Sequence, residues 1–176
     1  MTRRLQICVS GSARADAELA EMAEAVGRKI AEASAILVCG GKGGVMEAAA
    51  RGAASAGGEV IGILPGTALE EANPEVTHVV ATGIGNARNL AVVASADSVI
   101  AIGGEWGTLS EIAFARRLER SVITLESWSL SGRGAMADSP GIESASTPEE
   151  AVQMAVERGQ ARRDESPSTD SQPVDP

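Results

Sequence analysis

Short apolar runs alternate along this chain with stretches in which apolar side chains recur every three or four residues, and that alternation predicts its elements. Leu5 to Ser10, Ala35 to Cys39, Glu59 to Leu64, Thr77 to Ala81, Val99 to Gly103 and Ser121 to Leu125 are short and apolar enough for strands. Between the first two, Leu19, Met22, Ala23, Val26 and Ile30 fall on one face of a helix over Asp16–Glu32, with Asp16 as N-cap. Further helices are expected over 45–56, 86–95 and 108–119. A last one opens at Thr147, with Pro148 in its first position and Glu150 completing a capping box, and runs to about Arg158. Ser129 to Ser146 is rich in Gly and Ser and reads as a loop. Strands that alternate with helices predict an α/β fold, a single doubly wound (Rossmann-like) parallel sheet with helices on both faces. One domain, 1–158, is expected, followed by a disordered tail over 159–176 that has three prolines and hardly an apolar side chain.

Composition narrows the partners. Phe114, Trp106 and Trp128 are the only aromatic residues, so the core must be built from Ala, Val, Ile and Leu. The net charge of −9 argues against a general nucleic-acid binder, which needs clustered Lys and Arg. No run reaches the roughly 18 apolar residues of a membrane span, and M-T-R-R-L-Q-I lacks the apolar core of a signal peptide. A cytoplasmic protein is expected. Cys8 and Cys39 each lie inside an expected strand, as buried thiols rather than a disulfide or metal pair. His78 is the only histidine and has no cluster around it, so no metal site is expected.

The candidate chemistry lies in three glycine turns, each following a strand. In a doubly wound sheet such turns share the carboxyl edge, where ligands bind. Ser10, Gly11 and Ser12 form the first, either a phosphate-holding turn or an ordinary tight connection. Gly40, Gly41, Gly43 and Gly44 surround Lys42 in the second, with Met46 just beyond. It resembles a phosphate loop without matching G-x-x-x-x-G-K-[ST] or G-x-G-x-x-G. The third, Gly103, Gly104 and Gly107, leads into a helix at Thr108. Glu111 then reads either as a first-turn capping residue or as an acid or base facing a sugar. Arg88 and Asn89 occupy the first turn of another helix, where a cation is disfavoured. An anionic partner for Arg88, a ligand phosphate or Glu111, explains it best. Trp106 can stack on a flat ring or pack against a neighbouring loop or subunit.

The run G-G-E-W-G-T-L-S-E from Gly103 resembles the G-G-x-G-T-x-x-E signature of the Lonely Guy (LOG) and DprA-like Rossmann superfamily. G-G-K-G-G-V-M-E from Gly40 is similar to its upstream G-G-x-x-G-x-M loop, and Arg88 matches its arginine. R-N-L at 88–90 with the signature is most similar to the branch that includes molybdenum cofactor carrier proteins. That resemblance implies a homodimer or homotetramer that binds a small phosphorylated ligand, molybdenum cofactor first among candidates. The LOG enzymes imply the alternative, nucleoside 5′-monophosphate phosphoribohydrolase, with Arg88 and Glu111 as catalytic residues. Ile102 stands where LOG has proline, Asn89 where it has lysine, and Glu105 and Trp106 fill the turn. These departures favour the carrier. DNA handling by analogy with DprA conflicts with the acidic charge.

Overall fold

A computed structural model describes residues 3–130 and 141–165. Among the described residues, seven strands form one parallel sheet in the order β4-β3-β2-β1-β5-β6-β7. In chain order they are β1 (Gln6–Gly11), β2 (Ile36–Cys39), β3 (Val60–Leu64), β4 (His78–Ala81), β5 (Ser98–Ile102), β6 (Ser121–Leu125) and β7 (Ile142–Ser144). Five α-helices accompany them: α1 (Ala17–Glu32), α2 (Val45–Ser55), α3 (Arg88–Ala94), α4 (Trp106–Arg117) and α5 (Pro148–Glu165).

The sheet has a buried layer on each face. Ile7 and Val9 of β1 join α1, α2 and α5 on one side, while Cys8 between them joins α3 and α4 on the other, as strand alternation requires. Helices α1 and α2 approach closely because Gly27 and Gly52 have no side chains: a Cβ at Gly27 would lie 2.7 Å from the carbonyl carbon of Ala49. Both thiols are buried and unbridged. No helix among the described residues is long and apolar enough to cross a membrane.

Four expectations are corrected. Within the expected loop of 129–146, Ile142–Ser144 is a seventh strand, in register with β6 (Val122↔Ile142); residues 131–140 lie outside the described residues. Helix α5 does not stop at Arg158 but continues to Glu165, so the start of the expected tail is helical. The buried Gly159 packs on Leu5, Asp97 and Ser98, and this docking carries the helix onward; 166–176 lie outside the described residues. Helix α3 begins at Arg88, after a 3-10 turn over Gly85–Ala87. Helix α4 begins at Trp106, two residues before Thr108, with Glu105 as N-cap. Glu111 is therefore the sixth residue of its helix, past the first turn, and the capping reading fails.

The caps read from sequence are present. Leu19 N–H donates to Asp16 Oδ1 (2.9 Å), and Glu150 N–H donates to Thr147 Oγ1 (3.2 Å). Glu150 in turn accepts from the Ser146 N–H (2.7 Å), one residue ahead of the cap.

Candidate functional site

Strand order reverses between β1 and β5: from β1 the sheet grows one way through β2 to β4 and the other way through β5 to β7. Such a switch point opens a crevice at the carboxyl ends of the strands. A cleft of about 140 Å³ lies there, lined by Gly11, Met46, Arg88, Asn89, Gly107, Thr108 and Glu111 from the expected set. Ala13, Asn86 and Glu105 also line it. Ala13 and Asn86 have no signal in the sequence, since an alanine and an asparagine in turns carry no motif, whereas Glu105 stands inside the third glycine turn.

Two helix N-termini meet at this edge without side-chain caps, α2 behind Gly44 and α4 behind Glu105. Uncapped amide N–H groups and the helix dipole together favour an anion. Helix α1 differs, because Asp16 already occupies its first turn. Gly44 holds φ +68, and a Cβ there would meet the Ala13 carbonyl carbon at 2.5 Å, so only glycine lets the second loop lie against the first.

At the floor, Glu111 is 7% exposed. Ser10 Oγ donates to its Oε2. Its Oε1 is 3.9 Å from Arg88 Nη1, attracted but beyond hydrogen-bonding distance. Burial pushes the Glu111 carboxyl above its ordinary range, only partly offset by the Ser10 bond and the Arg88 charge. Arg88 lies over Gly40, and its Nε and Nη1 are buried without a hydrogen-bond partner. Thr108 Oγ1 is in the same condition. Buried donors without partners are uncommon because each forfeits its hydration. Arg88 and Thr108 bring three such atoms to one cleft.

The other expected residues divide. The Ser10 hydroxyl serves Glu111, and Ser12 supports the second loop by accepting the Val45 N–H at its carbonyl (3.0 Å). Gly41 (φ +69) packs beside Leu64, while Gly43 faces Glu47. Asn89 Nδ2 donates to Ser110 Oγ (3.1 Å), tying α3 to α4. Gly103 (φ +59) packs beside Leu19. Lys42 leaves the glycine loop and pairs with Glu71. Trp106 projects from the first turn of α4, and its ring lies 5.8 Å from that of Trp128. Burial raises the Cys8 thiol well above its ordinary value, helped by the Glu111 charge, and raises Cys39 to about 11. Both thiols are neutral and inert at neutral pH. Among the described residues no group of three His, Cys, Asp or Glu could hold a metal ion.

Residues 4–156, which carry the glycine signature, match the family model of the SLOG cluster4 family. The chain belongs to the SLOG cluster4 family. An uncharacterised protein of Archaeoglobus fulgidus is 43% identical over 122 residues, 69% of this chain and 80% of that one. The molybdenum cofactor binding protein of the phototrophic bacterium Rippkaea orientalis superposes with a TM-score of 0.82 at 35% identity, covering 89% of this chain and 98% of that one. The molybdenum cofactor carrier protein of Chlamydomonas reinhardtii gives 0.80 at 31% identity, over 90% and 99%. For this SLOG protein the superfamily and branch read from sequence both hold, and its structural neighbours support a ligand-binding role.

Proposed function

We propose that the chain is a binding protein for a phosphorylated heterocycle, with molybdenum cofactor as cargo in first place. The observation that carries the reading is Arg88: a guanidinium whose buried Nε and Nη1 have no hydrogen-bond acceptor, beside the uncapped N-termini of α2 and α4. A phosphate satisfies all three requirements at once, supplying acceptors to the guanidinium and negative charge to the helix ends. Similarity over nearly the full length of two molybdenum cofactor proteins supports the choice of cargo. Cys8 and Cys39 are buried at 0% exposure, so the chain offers no thiolate, and a molybdenum centre would keep the ligands it arrives with. With a net charge of −9, we expect no DNA binding and no gel shift at moderate salt.

Glu111 supports a second reading, nucleoside 5′-monophosphate phosphoribohydrolase. A carboxyl at the cleft floor with a raised pKa suits proton transfer to or from water during N-glycosidic cleavage, in which water and nucleotide give free base and ribose 5-phosphate. One experiment separates them. Purified protein is titrated with released molybdenum cofactor and, in parallel, incubated with a panel of nucleoside 5′-monophosphates beside Glu111→Gln. Saturable cofactor binding that Arg88→Ala weakens, with no base released, is expected. Absence of saturation removes the carrier, and base release by the wild type but not by Glu111→Gln makes the protein a hydrolase.

A further inference from the structure

We infer that the indole of Trp106, braced by that of Trp128, forms the wall on which the heterocyclic ring of the ligand stacks, outside the cleft that takes its phosphate. This rests on the reading of the ligand as a phosphorylated heterocycle.

The cleft holds about 140 Å³, whereas pockets that enclose a whole small ligand run to roughly 300–1,000 Å³. A phosphate and the carbon bearing it fit; a fused bicyclic ring in addition does not. The ring must therefore extend along the carboxyl edge.

Sheet register then determines what stands there. Strands β5 and β6 pair with Ile102 opposite Leu125, so the segments leaving them run side by side. Trp106 and Trp128 follow those paired residues at almost equal distance, which brings together the only two tryptophans in the chain. Their ring centroids are 5.8 Å apart with planes inclined at 38°, within the range of a favourable aromatic pair. Gly104 makes the arrangement possible. It holds φ +155, and a Cβ there would lie 2.5 Å from Trp128 Nε1, so only a bare backbone lets that indole settle against the turn. Trp128 is half-buried against the core on the α3 and α4 side, while Trp106 is 78% exposed. One indole thus braces the other, whose free surface faces outward.

The connection to the cleft is α4 itself. Trp106 is its first residue, Glu105 before it and Gly107 and Thr108 after it line the cleft, and the uncapped N–H groups belong to this same turn. A ligand held by phosphate at that turn has the indole of Trp106 as its nearest flat apolar surface. Stacking is tolerant of ring identity, since any conjugated ring offers a π-face. The wall therefore selects planar rings as a class.

The test uses a pterin monophosphate as probe and ribose 5-phosphate as its ring-free counterpart. Affinities are measured by equilibrium dialysis for the wild type, Trp106→Ala and Trp106→Phe. Trp106→Ala should weaken the pterin monophosphate about 5- to 100-fold, Trp106→Phe should restore much of the loss, and ribose 5-phosphate should bind all three alike. In Trp128→Phe, the remaining indole is the sole tryptophan, and bound probe should shield it from acrylamide quenching. That replacement removes no hydrogen bond, because Trp128 Nε1 has no partner. Probe bound equally by wild type and Trp106→Ala, with the indole still open to acrylamide, overturns the wall and leaves the phosphate site standing. If neither probe saturates the wild type, the binding function itself fails and the wall falls with it.

Discussion

Replacing Gly40 with alanine adds one methyl group that never touches a ligand, yet it should disable Arg88. A Cβ at 40 would lie 2.7 Å from Arg88 Cζ and nearer still to Nη1, whereas ordinary contact begins at 3.4 Å. The guanidinium carbon must retreat by at least 0.7 Å, and Nη1 by more. A displacement of that size breaks a charge-assisted hydrogen bond, worth about 1.5–3 kcal/mol, so ligand affinity should fall roughly 10- to 150-fold. The fold should tolerate the change. Gly40 is not among the glycines with positive φ, and the atoms displaced are the end of a flexible side chain. Melting temperature should move by no more than about 3 °C, since alanine also restricts the unfolded chain. The decisive assay is a double-mutant cycle with Arg88→Ala, read by titration: if Gly40 acts only through Arg88, Gly40→Ala should cost nothing further in the Arg88→Ala background. Equal losses in both backgrounds would mean that the methyl acts on the loop rather than on the guanidinium, against this account of Gly40. Full affinity in Gly40→Ala would refute it too.

Glu111 is raised by burial, so its stabilising contribution is complete below the ordinary carboxylate range and is lost as pH rises through the raised value; Glu111→Gln should melt above the wild type at about pH 7, with the gap closing towards about pH 4. Asp97 behaves oppositely: burial pushes its pKa up, but hydrogen bonds from Arg3 and the Gln6 N–H, with the charges of Arg3 and Arg163, outweigh it and lower the value. Its contribution is present above the ordinary range and lost as pH falls through the lowered one; Asp97→Ala should cost about 2–3 kcal/mol in urea denaturation, less than a fully buried pair because Arg3 is 54% exposed. Gly27→Ala should cost about 3 kcal/mol by prying α2 from α1, since its Cβ would meet Ala49 backbone, and a crystal structure should show the two helices further apart.

Local pattern was enough for much of this protein. A strand or a helix states its own period within a dozen residues, and capping residues such as Asp16 and Thr147 sit beside the N–H groups they serve. The sequence therefore determined the parallel α/β architecture and the placement of three glycine turns on one edge, and it marked Arg88 and Glu111 as charged residues there while leaving open whether Arg88 meets Glu111 or a ligand phosphate. Boundaries that depend on packing escaped it: α5 runs on to Glu165 because Gly159 docks on β5, and β7 exists because β6 offers an edge to pair with. The site's chemistry was decided only in three dimensions. Ser10 and Glu111 are 101 residues apart, and nothing near either announces their bond. Lys42 looked like part of the phosphate loop until Glu71 claimed it, and Trp128, with no motif around it, meets Trp106 only because β6 lies beside β5. Strand order is the physical reason: it sets which turns become neighbours, and it is fixed by burial and pairing summed over the whole sheet, which no single stretch of chain records.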